Sequence, residues 1–205
     1  MIAFVKLSLT FAKVVSVIFH PAILILLLPF LVVYRQTESS FYALKWQMFS
    51  ALFVFLAGLL VYLGEKYGIF SDSDLSKRNE RNKFYAMIII LLLLYMGVVV
   101  FFEGDLSMPV IIGFGALFGV VLFGIINHVF KISLHSGVAC VFVITVGILY
   151  GINAFFATIG IVPLLIWSRL ALKKHTLLEA ISGGLLGGTI TIATYIIGKI
   201  FYNYV

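Results

Sequence analysis

Seven apolar runs follow one another along this chain, at residues 14–33, 46–63, 84–102, 109–127, 136–150, 154–167 and 180–202. They are longer than the roughly ten-residue alternating strands of a membrane barrel, and about 20 apolar residues carry a helix across the hydrocarbon core. Inside a bilayer no water bonds the backbone, so each run must satisfy its own N–H and C=O groups, as a helix does. With 63% hydrophobic and 11% charged residues, no soluble domain of this size hides that much apolar surface. The expected fold is all-α: a polytopic transmembrane helical bundle of six or seven spans, forming a single integral-membrane domain over residues 1–205.

Breaks in the runs refine this picture. Residues 1–13 precede the first run and suit an interfacial segment, while Pro21 is the point at which a longer first helix would break. No small-residue cleavage pattern follows that run, so a cleavable signal peptide is not expected. The fifth and sixth runs form a tight pair split at Gly151-Ile152-Asn153, and Pro163 should kink the sixth. Cys140, the single cysteine, lies within an apolar run and reads as a structural thiol. Residues 64–83 form the one strongly polar loop.

Seven spans would bring the N-terminus and residues 64–83, 128–135 and 168–179 to one membrane face. Eleven of the fourteen Lys and Arg residues fall there, leaving Arg35, Lys45 and Lys199 elsewhere. The positive-inside rule makes that face cytoplasmic, and the cell membrane is the expected location. The net charge of +6 therefore points to orientation and anionic headgroups and not to nucleic acid.

Three polar clusters share this face. Residues 71–83 end in the cationic run Lys77-Arg78-Asn79-Glu80-Arg81; residues 131–137 carry Ser133, His135 and Ser136; and residues 168–179 carry Arg169, His175 and Glu179. Charge between apolar segments is costly to keep near a bilayer, so such clusters read as functional. Arginine grips phosphate oxygens bidentately, and helix N-termini add N–H donors and a favourable dipole. A histidine whose other nitrogen is held by a carboxylate can attack phosphorus, and a second can protonate the leaving alkoxide. His175, Glu179 and His135 suit those roles, with His175 and Glu179 expected on one face of a helix. Gly183 and Gly187 continue that four-residue phase, and with Gly184 and Gly188 they permit close helix packing.

The third cluster resembles the third motif of the type 2 phosphatidic acid phosphatase superfamily: Ser-Arg, five residues, His, three residues, Asp. Here it stands as Ser168-Arg169, His175 and Glu179, with Glu in place of Asp. The family often has glycines four and eight residues beyond the acid, where Gly183 and Gly187 stand. Of its second motif, Pro-Ser-Gly-His, only Ser133 and His135 align; of its first, Lys, six residues, Arg-Pro, the spacing is absent. The resemblance spans about residues 72–188. It implies a bundle like the family's core, a phosphohistidine on His175, His135 as acid, and Arg169, Arg81, Arg78, Lys77 and Ser133 as phosphate-binding groups. It implies no metal and no cofactor. The expected partners are a lipid phosphate or prenyl diphosphate and the bilayer, with oligomeric state open.

Other readings compete. A metal-dependent intramembrane hydrolase would draw on His20, His128, His135 and His175 with Asp72, Asp74 and Glu179. A lipid-binding or transport protein without catalysis would use the short, interrupted fifth and sixth runs. Taken singly, His20 and His128 read as interfacial residues, Lys173 and Lys174 as side chains reaching for headgroups, and Trp46 and Trp167 as belt residues.

Overall fold

A computed structural model of the chain describes residues 2–75, 77–99, 101 and 107–202. Among these residues there is no strand. The helices are α1 (Ile2–Ile18), α2 (Pro21–Thr37), α3 (Ser40–Lys66), α4 (Arg78–Val99), α5 (Ser107–Val129), α6 (Leu134–Tyr150), α7 (Ile152–Thr158), α8 (Ile161–Ala171) and α9 (Leu177–Tyr202). Six stretches are long and apolar enough to cross a membrane, with Lys6–Thr37 covering α1 and α2 and Ile152–Ala171 covering α7 and α8; Leu134–Tyr150 is a shorter apolar helix. The chain is thus an integral membrane protein of the all-α class. On α3, Phe41, Met48, Leu52, Phe55 and Tyr62 are exposed, as suits side chains facing lipid tails.

The breaks follow backbone chemistry. α2 starts at Pro21, whose missing N–H costs nothing in a first helical turn. Residues 2–13 are helical within α1, and Ala12 is fully buried. Gly151, with φ of 88°, separates α6 from α7 in a region where a side chain would strain the backbone. Pro163 has no N–H for the Ile159 carbonyl, which the Val162 N–H takes instead at 3.2 Å, and the helix is interrupted there between α7 and α8.

The polar loop is shorter than its composition suggests. α3 runs to Lys66 and α4 begins at Arg78, so Arg78, Arg81 and Lys83 lie on a helix. The loop folds back on this polar first turn, where Glu80 Oε2 accepts both the Ser71 N–H and hydroxyl at 2.9 Å. Ser76 and the connection at residues 102–106 lie outside the described residues.

The helices group into two compact units. The first comprises residues 1–25 and 132–189, and α6 is its most enclosed helix, with His135, Ser136, Gly137, Val138 and Ala139 all buried. α9 lies against α6 through its glycines. A Cβ built on Gly183 would run into the Ser133 carbonyl oxygen, and one on Gly187 into that of Gly137. Gly184 faces Cys140 Sγ and Gly188 faces Ile144. The second unit comprises residues 26–131 and 190–205. Its core is built from Val33, Ala43, Trp46, Tyr95 and Val99, with Phe49 and Phe53 packed against them. Trp46, read from sequence as a belt residue, is a core side chain here.

Candidate functional site

The turn between α8 and α9 is built from two helix caps. At the end of α8 the Lys173 N–H donates to the Leu170 carbonyl at 2.9 Å and the Lys174 N–H to the Arg169 carbonyl at 3.0 Å. Lys173 has φ of 54°. This is the paired-bond, left-handed arrangement that ends many helices, with lysine in the place glycine usually takes. It reverses the chain and delivers His175 next to α9.

At the start of α9, Thr176 and Glu179 form a capping box. The Glu179 N–H donates to Thr176 Oγ1 at 3.3 Å, and the Thr176 N–H donates to Glu179 Oε2 at 3.1 Å. The same Oε2 lies 2.9 Å from His175 Nδ1. His175 is therefore not on a helix with Glu179, as their spacing suggested. It precedes α9, and Glu179 meets it because the capping box turns the carboxylate back across the first turn. His175 is 7% exposed.

α6 presents its own N-terminus to this turn. Ser133 is its N-cap, its hydroxyl accepting the Ser136 N–H at 3.4 Å. The Ser133 N–H donates to the Glu179 carbonyl at 3.0 Å, and the Ser136 hydroxyl donates to the Ala180 carbonyl at 2.7 Å. These two bonds lock the start of α6, including buried His135, against the first turn of α9. Two helix N-termini lie side by side, and their dipoles favour an anion. Ser133 is thus placed as a cap with its backbone tied to α9.

Arg169, 1% exposed, is held from α1: its Nη1 donates to Ser16 Oγ at 2.8 Å. The neighbouring Ser168 hydroxyl donates to the Ala12 carbonyl at 2.6 Å. His20 stacks edge-to-face on His135, with ring centroids 5.2 Å apart. Ser16 and His20 carried no family signal in the sequence; only their four-residue spacing, shared with Ala12, marked one helical face.

The other expected phosphate ligands, Lys77, Arg78 and Arg81, belong to the second unit, each with a partner of its own. Lys77 pairs with Glu80 at 3.4 Å, Arg78 Nη1 donates to the Val129 carbonyl at 3.2 Å, and buried Arg81 donates through Nε to the Leu75 carbonyl at 2.8 Å. His128 Nδ1 lies 3.2 Å from Asn82 Nδ2, and Asn82 in turn accepts from buried Asn127. Among the described residues no three His, Cys, Asp or Glu side chains gather as a metal ion would need.

Comparison of the chain with protein-family models, curated proteins and solved structures finds no match.

Proposed function

We propose that this protein is an integral-membrane phosphatase or phosphotransferase acting on a lipid phosphate or prenyl diphosphate, in the manner of the type 2 phosphatidic acid phosphatases. The observation that carries the reading is the buried His175 with its Nδ1 2.9 Å from Glu179 Oε2. A carboxylate there holds the ring proton on Nδ1 and leaves the Nε2 lone pair for attack. In the first step Nε2 bonds phosphorus, the bond from phosphorus to the lipid oxygen breaks, and protonated His135 gives that oxygen its proton. In the second, water attacks phosphorus, His135 takes the water's proton, and the N–P bond breaks to release phosphate. Arg169 and the paired N-termini of α6 and α9 supply positive potential where charge gathers on the equatorial oxygens. Glu179 stabilises the cationic ring of the phosphohistidine formed in the first step.

Lys77, Arg78 and Arg81 are phosphate ligands by resemblance alone, and their local partners favour an anchoring role. That engagement supports the second reading, a lipid-phosphate binder without turnover. The site faces the cytoplasm from the cell membrane in this proposal, following the positive-inside distribution.

The test is release of inorganic phosphate from phosphatidate and a polyprenyl diphosphate by purified protein in mixed micelles. His175→Ala and His135→Ala should each lower kcat by about 10²–10⁴-fold. A wild type that releases none, or two variants with full activity, overturns the catalytic reading. Vanadate binding without turnover selects the binder.

A further inference from the structure

Ala12, Ser16 and His20 stand at four-residue intervals, and each meets an element of the candidate site. Ala12 accepts from Ser168, Ser16 accepts from Arg169, and the His20 ring stands against His135. The stripe runs past the end of α1 because its last turn tightens: the Phe19 N–H donates to the Val15 carbonyl at 3.0 Å and the His20 N–H to the Val17 carbonyl at 3.2 Å. Pro21 then ends the helix, and His20 caps α2, its Nδ1 accepting the Ala22 N–H at 3.2 Å. That bond requires a bare Nδ1, so the ring is fixed at its backbone-side edge and meets His135, although His20 as a whole is exposed. A ring locked by a cap is a rigid support for its neighbour.

We infer that His20 is a positioning residue for His135, so that the N-terminal helix is part of the machinery and not an anchor preceding it. The inference rests on the phosphoryl-transfer reading for its kinetic consequence. A proton donor must meet the leaving oxygen within hydrogen-bond reach, and displacement of a catalytic group by about 1 Å can cost on the order of a hundredfold in rate. The edge-to-face contact restrains rotation of the His135 ring, while the Ser133 and Ser136 bonds restrain only its backbone.

Three substitutions separate this role from capping. His20→Ala removes ring and cap; His20→Asn keeps an acceptor for the Ala22 N–H but no ring; His20→Phe keeps a ring but no acceptor. The expected result is a kcat lowered roughly tenfold to a hundredfold in the Ala and Asn variants, with KM unchanged and kcat largely restored by Phe. Thermal stability should follow the opposite order, restored by Asn. If Asn restores kcat and Phe does not, or if His20→Ala keeps wild-type kcat, the inference is overturned.

A second readout needs no turnover. With four histidines in the chain, the ¹⁵N imidazole signals of His135 can be assigned by substitution. They should move in His20→Ala and return in His20→Phe. If wild-type protein shows no phosphatase activity, the functional reading fails separately, and His135 signals that stay put in His20→Ala still overturn the inference.

Discussion

Glu179 Oε2 accepts the Thr176 N–H and faces His175 Nδ1, so substitutions at positions 176 and 179 separate capping from chemistry. Glutamine suits the same capping-box position but carries no charge for a cationic ring and does not enforce the Nδ1–H tautomer. Glu179→Gln should therefore lower kcat by up to about 10⁴-fold, the size of the loss when such an orienting acid is neutralised in a Ser-His-Asp triad, with little change in unfolding midpoint. Thr176→Ala should do the reverse, costing about 1 kcal/mol of stability through the lost cap and leaving kcat within a few-fold. Kinetics and thermal unfolding of both variants in one detergent check the pair; equal kinetic losses would mean that the cap alone sets activity. Lys173 supplies another residue-level test. Its side chain is exposed, and its left-handed backbone costs an L residue about 1 kcal/mol. Lys173→Gly should thus raise stability by up to about that amount, offset in part by the freer unfolded chain, without loss of activity.

At the scale of elements, the packing of α9 on α6 sets where His135 stands. Gly183→Ala and Gly187→Ala each place a methyl group against a backbone carbonyl, which cannot rotate away as a side chain can. Each should cost about 1–3 kcal/mol and lower kcat by shifting Ser133 and His135. Gly184→Ala meets Cys140 Sγ, a side chain able to move, with the Ser136 carbonyl oxygen at an ordinary contact distance of 3.9 Å, and should be milder in both respects. Unfolding midpoints and phosphate release rank the three. The glycine spacing marked this face in the sequence, and apolar length marked the spans, because both signals are local and periodic. The partner of the face was not legible, since nothing in residues 183–188 names Ser133. The Ser168–Glu179 motif was legible as residues but not as geometry. Its spacing suggested one continuous helix, while the left-handed Lys173 and the Thr176 cap place a turn there. The Thr-x-x-Glu capping signal was present at residues 176–179. The α1 stripe was hidden for a different reason: Ser16 meets Arg169 across 153 positions of chain, and no local pattern encodes such a distance.

At the scale of the whole molecule, the proposal demands that the turn carrying His175 open to the membrane face that holds the excess of Lys and Arg. Each apolar span reverses the side of the chain, so the polar segments alternate. The turn following α3, the α5–α6 connection and the α8–α9 turn should share one side, and the α2–α3 connection should lie on the other. The native thiol at Cys140 sits against Gly184 and can be replaced by alanine, leaving a background in which single cysteines report sidedness. Cysteines at Asp72, Lys131 and Lys174 should react with a membrane-impermeant maleimide only in inside-out vesicles, and one at Glu38 only in intact cells. Asp72 and Lys131 reacting from opposite sides would remove the even number of crossings between them and, with it, the shared face on which the cationic run was assigned to phosphate. Lys174 reacting from outside would leave the His175–Glu179 pair intact, because it is built within one turn, but would turn the chemistry toward phosphates presented on the outer leaflet.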